Sequence, residues 1–150
     1  MRLDLVINIF VYKLMNNKKI TIDGDGKQWR PFISINDICG IYLYILKRKK
    51  IPSFICNLVA FNSTIKILAD KITNIFGTNK NLVVYKQSNY DKRNYKVGSN
   101  IFKKFFKNYK FSDFSKEVKI LSTKMKFFKI RQNSNTVRML YYKKLFLKSK

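Results

Sequence analysis

A mixed α/β fold, a few short strands with about five helices, is what this sequence predicts, and three observations predict it. Apolar residues recur at steps of three and four in several windows, which is the spacing of a single buried helix face. Short β-branched runs bounded by Gly, Asn and Asp stand between those windows. No stretch rich in Gly, Pro or Ser divides the 150 residues, so one domain, 1–150, is expected.

The elements follow in order. Leu3, Val6, Ile7, Phe10, Val11 and Leu14 fall on one helical face, and the polar run 16–19 ends it. The stretch 20–38 comes next, and the rest of the chain is arranged around it. Ile20 and Ile22 alternate with Thr21 as a strand. Asp23-Gly24-Asp25-Gly26 then signals a tight turn, because glycine adopts positive φ without steric cost. The chain is expected to reverse there and return as a second strand through Phe32, Ile33 and Ile35. Arg30 stands between turn and strand, where Pro31 biases it toward extended geometry. Ser34-Ile35-Asn36-Asp37 offers helix caps. The helix that follows is expected from about Asp37 to Lys47, with Ile38, Ile41, Tyr42, Ile45 and Leu46 inward. The basic quartet 47–50 favours its C-terminal dipole.

Residues 53–59 read as a strand. Asn62-Ser63-Thr64 caps a helix that carries Ile65, Leu68, Ala69, Ile72, Ile75 and Phe76 on one face and closes at Gly77. A short strand over 82–85 leads into a polar loop, 86–95, that holds Asp91 and Arg93. Three helical segments are then predicted: Ile101, Phe102, Phe105 and Phe106 after Ser99; Val118, Leu121, Met125 and Phe128; and Val137, Leu140, Tyr141 and Leu145. The phenylalanines interleaved with lysine over 102–107 have the pattern of a base-stacking surface. Their helical spacing makes them core first.

Charge and composition narrow the function. There are 32 Lys and Arg against 8 Asp and Glu, a net +24. The first 75 residues carry 12 basic and 5 acidic side chains, and the last 75 carry 20 and 3. Such an excess suits nucleic acid or another polyanion. However, 26 of the cations are Lys and only 6 are Arg, and Arg is the better base reader and bidentate phosphate ligand. Compositional drift therefore ranks ahead of a specific nucleic-acid partner. With no histidine and two cysteines, a Cys/His zinc site and a His-based triad have no residues to be built from. Cys39 and Cys56 sit in apolar company and read as small buried hydrophobes. The N-terminus carries an acid at once, and no apolar run approaches a bilayer span. A cytoplasmic protein with no membrane partner is the expectation.

Several blocks carry a resemblance. Arg2-Leu3-Asp4-Leu5-Val6-Ile7-Asn8 opens the chain. Gly24-Asp25-Gly26-x-Gln28-x-Arg30-Pro31-Phe32-x-x-Ile35-x-Asp37 follows, then Cys56-Asn57-Leu58 before Asn62-Ser63-Thr64-Ile65, and Asp91-Lys92-Arg93-Asn94-Tyr95 ahead of a helix. In order and spacing these are similar to the NAD-dependent epimerase/dehydratases that act on nucleotide sugars, within the extended short-chain dehydrogenase/reductases. The resemblance runs from the first residue to roughly Ser112 and covers the family's C-terminal, substrate-binding part. It implies a partial nucleotide-sugar-binding domain of a 4-epimerase-like isomerase or dehydratase of carbohydrate metabolism.

The resemblance also implies what is missing. Family members bind NAD at a Gly-x-x-Gly-x-x-Gly turn and use a Tyr followed four residues later by Lys as their catalytic base. The five glycines here, Gly24, Gly26, Gly40, Gly77 and Gly98, do not stand at that spacing, and none of the nine tyrosines has Lys at that offset. No catalytic residue and no cofactor is therefore assigned to this chain, although the full-length family uses NAD. What the resemblance assigns is a diphosphate contact for Arg30 and a second for Arg93, with Asp91 a ribose contact. Thr21, Ile22 and Asp23 would flank the base. The family's first helix and Phe32 strand pack on the dinucleotide domain, so an exposed apolar patch is expected. Two readings follow: a truncated nucleotide-sugar enzyme, inactive alone or completed by a separately encoded dinucleotide domain or a homodimer, and a basic nucleic-acid- or anion-binding module.

Overall fold

The computed structural model describes residues 1–48, 52–78, 80–87 and 92–148. In order these form α1 (Val6–Met15), β1 (Ile20–Asp23), β2 (Trp29–Phe32), α2 (Ile35–Leu46), β3 (Phe61–Thr64) and α3 (Ile65–Ile75). A 3-10 turn then leads to β4 (Val83–Lys86), α4 (Asn100–Phe105), α5 (Phe114–Phe127) and α6 (Arg138–Lys148). The mixed α/β class is as expected, and the six helices among the described residues fall on the six helical windows read from the sequence.

The turn after β1 behaves as its glycines require. Gly24 and Gly26 hold φ of 77° and 71°. A side chain at Gly26 would meet Ile22 Cγ2 and Lys66 Cβ at 3.2 Å. The turn does not make a hairpin, however. β1 pairs in parallel with β4, Ile20 opposite Val83, while β2 pairs antiparallel with β3, Arg30 opposite Ser63. Each is a two-stranded sheet. The second strand starts earlier than expected, at Trp29, and stops at Phe32, because Ser34 caps a helix that already includes Ile35. Its hydroxyl accepts from the Asp37 N–H at 3.0 Å.

The larger hydrophobic cluster gathers Leu3, Phe10, Val11 and Leu14 around α1, Ile20 and Ile22 from β1, Leu68, Ala69 and Ile72 from α3, and Val118 and Met125 from α5. These are the periodic positions of the sequence, so local amphipathicity and tertiary burial agree. Thr64 caps α3, its hydroxyl accepting from the Ile67 N–H at 3.2 Å, and Gly77 beyond its end sits at φ 61°.

A smaller cluster joins Ile41 of α2 to Phe102 and Phe106, with Phe54, Phe105, Tyr109 and Phe111 packed around them. Phe102 and Phe106 stack at 4.7 Å and are 1% and 3% exposed, so the core reading of 102–107 stands over base stacking. The buried Asp37 ties this cluster to the chain. Its carboxylate accepts from Ser34 Oγ, Ser112 N and Ser112 Oγ, each at 2.9 Å, and Tyr109 OH donates to its carbonyl at 3.1 Å. Gly40 leaves room for that phenol, since a Cβ there would lie 3.0 Å from it.

Four expectations are corrected. Residues 53–59 have no ladder partner among the described residues, and Ile55 is 92% exposed; β-type side chains do not make a strand without an edge to join. Tyr42 and Leu46 face solvent, because α2 is largely apolar and only its Ile41 side meets the aromatic cluster. Cys39 is exposed and so is not a core hydrophobe, while Cys56 is half-buried and packs against the aromatic cluster. Phe128, Leu140, Tyr141 and Leu145 are exposed, which leaves the last two predicted stripes partly outside the core.

Candidate functional site

β2 presents Arg30 between Trp29 and Pro31, and the segment 92–97 lies along it. Irregular backbone needs side-chain partners for its polar groups, and asparagines supply them. Asn94 Oδ1 accepts from the Trp29 N–H at 2.9 Å. Asn62 of β3 clasps Val97 from both sides, accepting from its N–H at 2.9 Å and donating to its carbonyl at 3.1 Å. Held this way, the loop brings Arg93 to Arg30. The Arg30 Nη1 donates to the Arg93 carbonyl, and to the Trp29 carbonyl at 2.8 Å. Its guanidinium lies 5.0 Å from the centre of the Tyr95 ring, and Lys96 Nζ is 3.8 Å from that of Trp29.

Arg30 and Arg93, to which the resemblance gives the diphosphate contacts, are thus joined through the Arg30 guanidinium and the Arg93 backbone carbonyl, although 63 residues separate them. Arg30 is half-buried and Arg93 exposed. Asp91 lies outside the described residues. The sequence reading missed Trp29, Asn94, Tyr95 and Lys96 as members of the cluster. The Asn94-Tyr95 pair in the motif and the aromatic before Arg30 were the available signals.

Thr21, Ile22 and Asp23 lie on β1, one edge of which is taken by β4. Ile22 is 1% exposed, so it offers a ligand its backbone and not its side chain. Thr21 Oγ1 accepts from Lys13 Nζ at 3.1 Å. Burial first, and the neighbouring Lys86 second, lower the Lys13 pKa, while Asp23 opposes them. Asp23 is exposed, and its carbonyl accepts from Gln28 Nε2 at 3.2 Å. Gln28 therefore bridges the β1 end to the strand that carries Arg30.

The residues present do not fit a dinucleotide. Its pyrophosphate needs free N–H groups at a helix start reached through a glycine turn. Among the described residues the strand-to-helix junctions are Phe32 to Ile35 and Thr64 to Ile65. Neither contains glycine, and at each a side-chain hydroxyl already caps the helix. No group of three metal-ligating side chains occurs among the described residues, and no helix there is long and apolar enough to cross a membrane.

A separate cleft of about 550 Å³ opens between α1, β2, α2 and α5. Leu5, Ile7, Phe32, Ile35, Phe61 and Leu121 line it, with Ser34 and Glu117 among its polar groups. Leu5 and Ile35 are 47% and 67% exposed. Of the first helix and the Phe32 strand the cleft takes in Ile7 and Phe32, both half-buried.

Residues 3–58 match the model of the NAD dependent epimerase/dehydratase family, and the resemblance read from the sequence is borne out over that stretch. No curated protein matches the chain. Among solved structures it is similar to a dTDP-glucose 4,6-dehydratase from Bacillus anthracis, in complex with NAD. The identity is 18% and the TM-score 0.68, over 93% of this chain and 43% of that one. It is also similar to a UDP-glucose 4-epimerase from Thermotoga maritima with UDP-glucose, at 19% and 0.66, over 84% and 40%. A UDP-N-acetylglucosamine 4-epimerase from Bacillus cereus gives 23% and 0.63, over 81% and 41%. The chain spans about two fifths of the length of these structures.

Proposed function

We propose that this chain, which has the fold of the NAD-dependent epimerase/dehydratases, supplies the nucleotide-sugar side of such an enzyme and holds the substrate diphosphate between Arg30 and Arg93. The observation that supports the reading is the hydrogen bond from the Arg30 guanidinium, which lies by the Tyr95 ring, to the backbone carbonyl of Arg93. A guanidinium is the group suited to a diphosphate, since it donates in a planar, bidentate fork. The β1 backbone from Thr21 to Asp23 then flanks the nucleobase, and the resemblance gives the ribose contact to Asp91.

Chemistry is absent from this part of the reading. The chain has neither the glycine turn nor the Tyr-Lys pair of the family, so alone it binds substrate without converting it. Catalysis comes from a dinucleotide-binding part on the same or another chain, in the cytoplasm, and that part covers the apolar cleft beside α1. A contiguous apolar surface of this kind is stable in water only when something covers it.

Calorimetric titration tests the site. Uridine diphosphate is expected to bind weakly, because an incomplete pocket must be ordered as the ligand enters. Arg30→Ala should weaken binding by roughly ten-fold or more, the scale of a charge-assisted hydrogen bond. Arg48→Ala should change it little, since that exposed guanidinium rests on Tyr44 at the end of α2. Equal losses from both substitutions, or pyrophosphate binding as tightly as the nucleotide, would mean that only the general positive field attracts the ligand. NAD should give no binding heat, and micromolar NAD binding would overturn the assignment of the cofactor site to another part.

A further inference from the structure

α5 ends in Lys124-Met125-Lys126-Phe127-Phe128-Lys129, and the two phenylalanines there face solvent, 78% and 64% exposed. Their rings meet edge to face, with centroids 5.0 Å apart and planes at 90°. The buried stripe of the helix ends at Met125, and Phe128 is already its C-cap. Beside this pair in the chain, a groove of about 700 Å³ runs between the C-terminal ends of α1 and α5. Lys18 rims it on the α1 side, Lys126, Lys129 and Arg131 on the other, and no carboxylate is among its lining residues.

Part of this charge has a local role, because two helix C-termini meet here. Each carries about half a negative charge, so four side-chain cations leave a surplus of roughly three. A ligand that combines spaced anions with flat π faces neutralises the surplus and covers the two adjacent rings at once. We propose that this end of the molecule binds a single-stranded nucleic acid, with bases stacked on Phe127 and Phe128 and phosphates along Lys18, Lys126, Lys129 and Arg131. Stacking is tolerant of sequence, since every base has a π face. Duplex is excluded from the rings because its bases are already stacked on each other. The groove shares no residue with the Arg30–Arg93 cluster, so the proposal does not depend on the nucleotide-sugar reading.

The test uses the whole chain and a fluorescent oligothymidylate of about 20 nucleotides, enough to span a groove and a stacking platform. The double substitution Phe127→Ala/Phe128→Ala alters only exposed side chains, and circular dichroism checks that the fold is kept. It should lower affinity roughly ten-fold or more. Replacing Lys126, Lys129 and Arg131 by Gln should flatten the slope of log affinity against log salt by about two. The same change at Lys103, Lys104 and Lys107, all exposed on or beside α4, should flatten it less. Arg30→Ala should leave strand binding intact. The proposal fails if the phenylalanine pair can be removed without effect, if both charge triples act equally, or if duplex binds as tightly as single strand. It also fails if phosphatidylserine vesicles, and not the oligonucleotide, respond to Phe127 and Phe128, which would make the patch a lipid-binding one.

Discussion

Leu68 at the centre of the aliphatic cluster and Phe102 at the centre of the aromatic one are 0% and 1% exposed, yet their surroundings differ. Around Leu68, α1, β1, α3 and α5 each turn apolar side chains inward, and no residue of α1 is exposed. Around Phe102, α2 contributes Ile41 to the inside and leaves Ile35, Tyr42, Leu43 and Leu46 outside, between 58% and 78% exposed. Residues 53–59 border the same region without a strand partner. The aliphatic cluster borders the apolar cleft, which Ile7, Phe32, Phe61, Phe114, Val118 and Leu121 line. The aromatic cluster meets that cleft only at Ile33 and is open instead along the outer side of α2.

That contrast can be broken at its centre. Leu68→Ala should destabilise the whole chain by about 2–5 kcal/mol in urea denaturation, because it leaves a cavity where four elements meet. Phe102→Ala should instead release α2 and α4 locally, with amide exchange protection kept in α1 and α3. A single global transition that shifts equally in both variants would show that the two clusters fold as one unit.

A smaller effect is expected at Asp37. Asp37→Ala leaves the Ser112 N–H without its acceptor and frees the loop from α2, at a cost of about 1–3 kcal/mol. Asp37→Asn should cost less, since the amide oxygen keeps one acceptor. Removal of the α3 cap by Thr64→Ala should cost about 1 kcal/mol, and the loss should appear in the aliphatic cluster alone.

Alkaline pH should sharpen the comparison more gently. Burial first, and the negative charge of Asp37 next, raise the Tyr109 pKa above its ordinary value of 10.0. A group whose folded pKa is raised contributes stability that is fully present below its unfolded pKa and lost as pH climbs through the folded one. The aromatic cluster should therefore loosen above about pH 10, and Tyr109→Phe should remove that component from the pH profile. Smallest of all, Leu46→Lys should change stability by less than about 0.5 kcal/mol, as exposed substitutions do, while lowering self-association in sedimentation experiments.

Arg30, Arg93 and the Thr21–Asp23 backbone were singled out in the sequence because the blocks around them resemble a known family in order and spacing, and the fold joins the Arg30 side chain to the Arg93 carbonyl. Trp29 and Lys96 were not readable, since a cation resting on an indole 67 positions away leaves no local pattern. Phe128 was misread because a helical period does not announce where the helix runs past the core.

The sequence by itself determined the helices of the aliphatic cluster, the glycine turn after β1 and the caps at Ser34 and Thr64. Each is written within a few residues, in side-chain period, in the freedom of glycine to take positive φ, or in a hydroxyl within reach of an N–H. Only the tertiary structure decided that β1 pairs with β4 and not with β2, that residues 53–59 stay out of any sheet, and which face of the largely apolar α2 turns inward. Those outcomes depend on which distant edge or face is available, and a hydrophobic side chain specifies burial without specifying a partner.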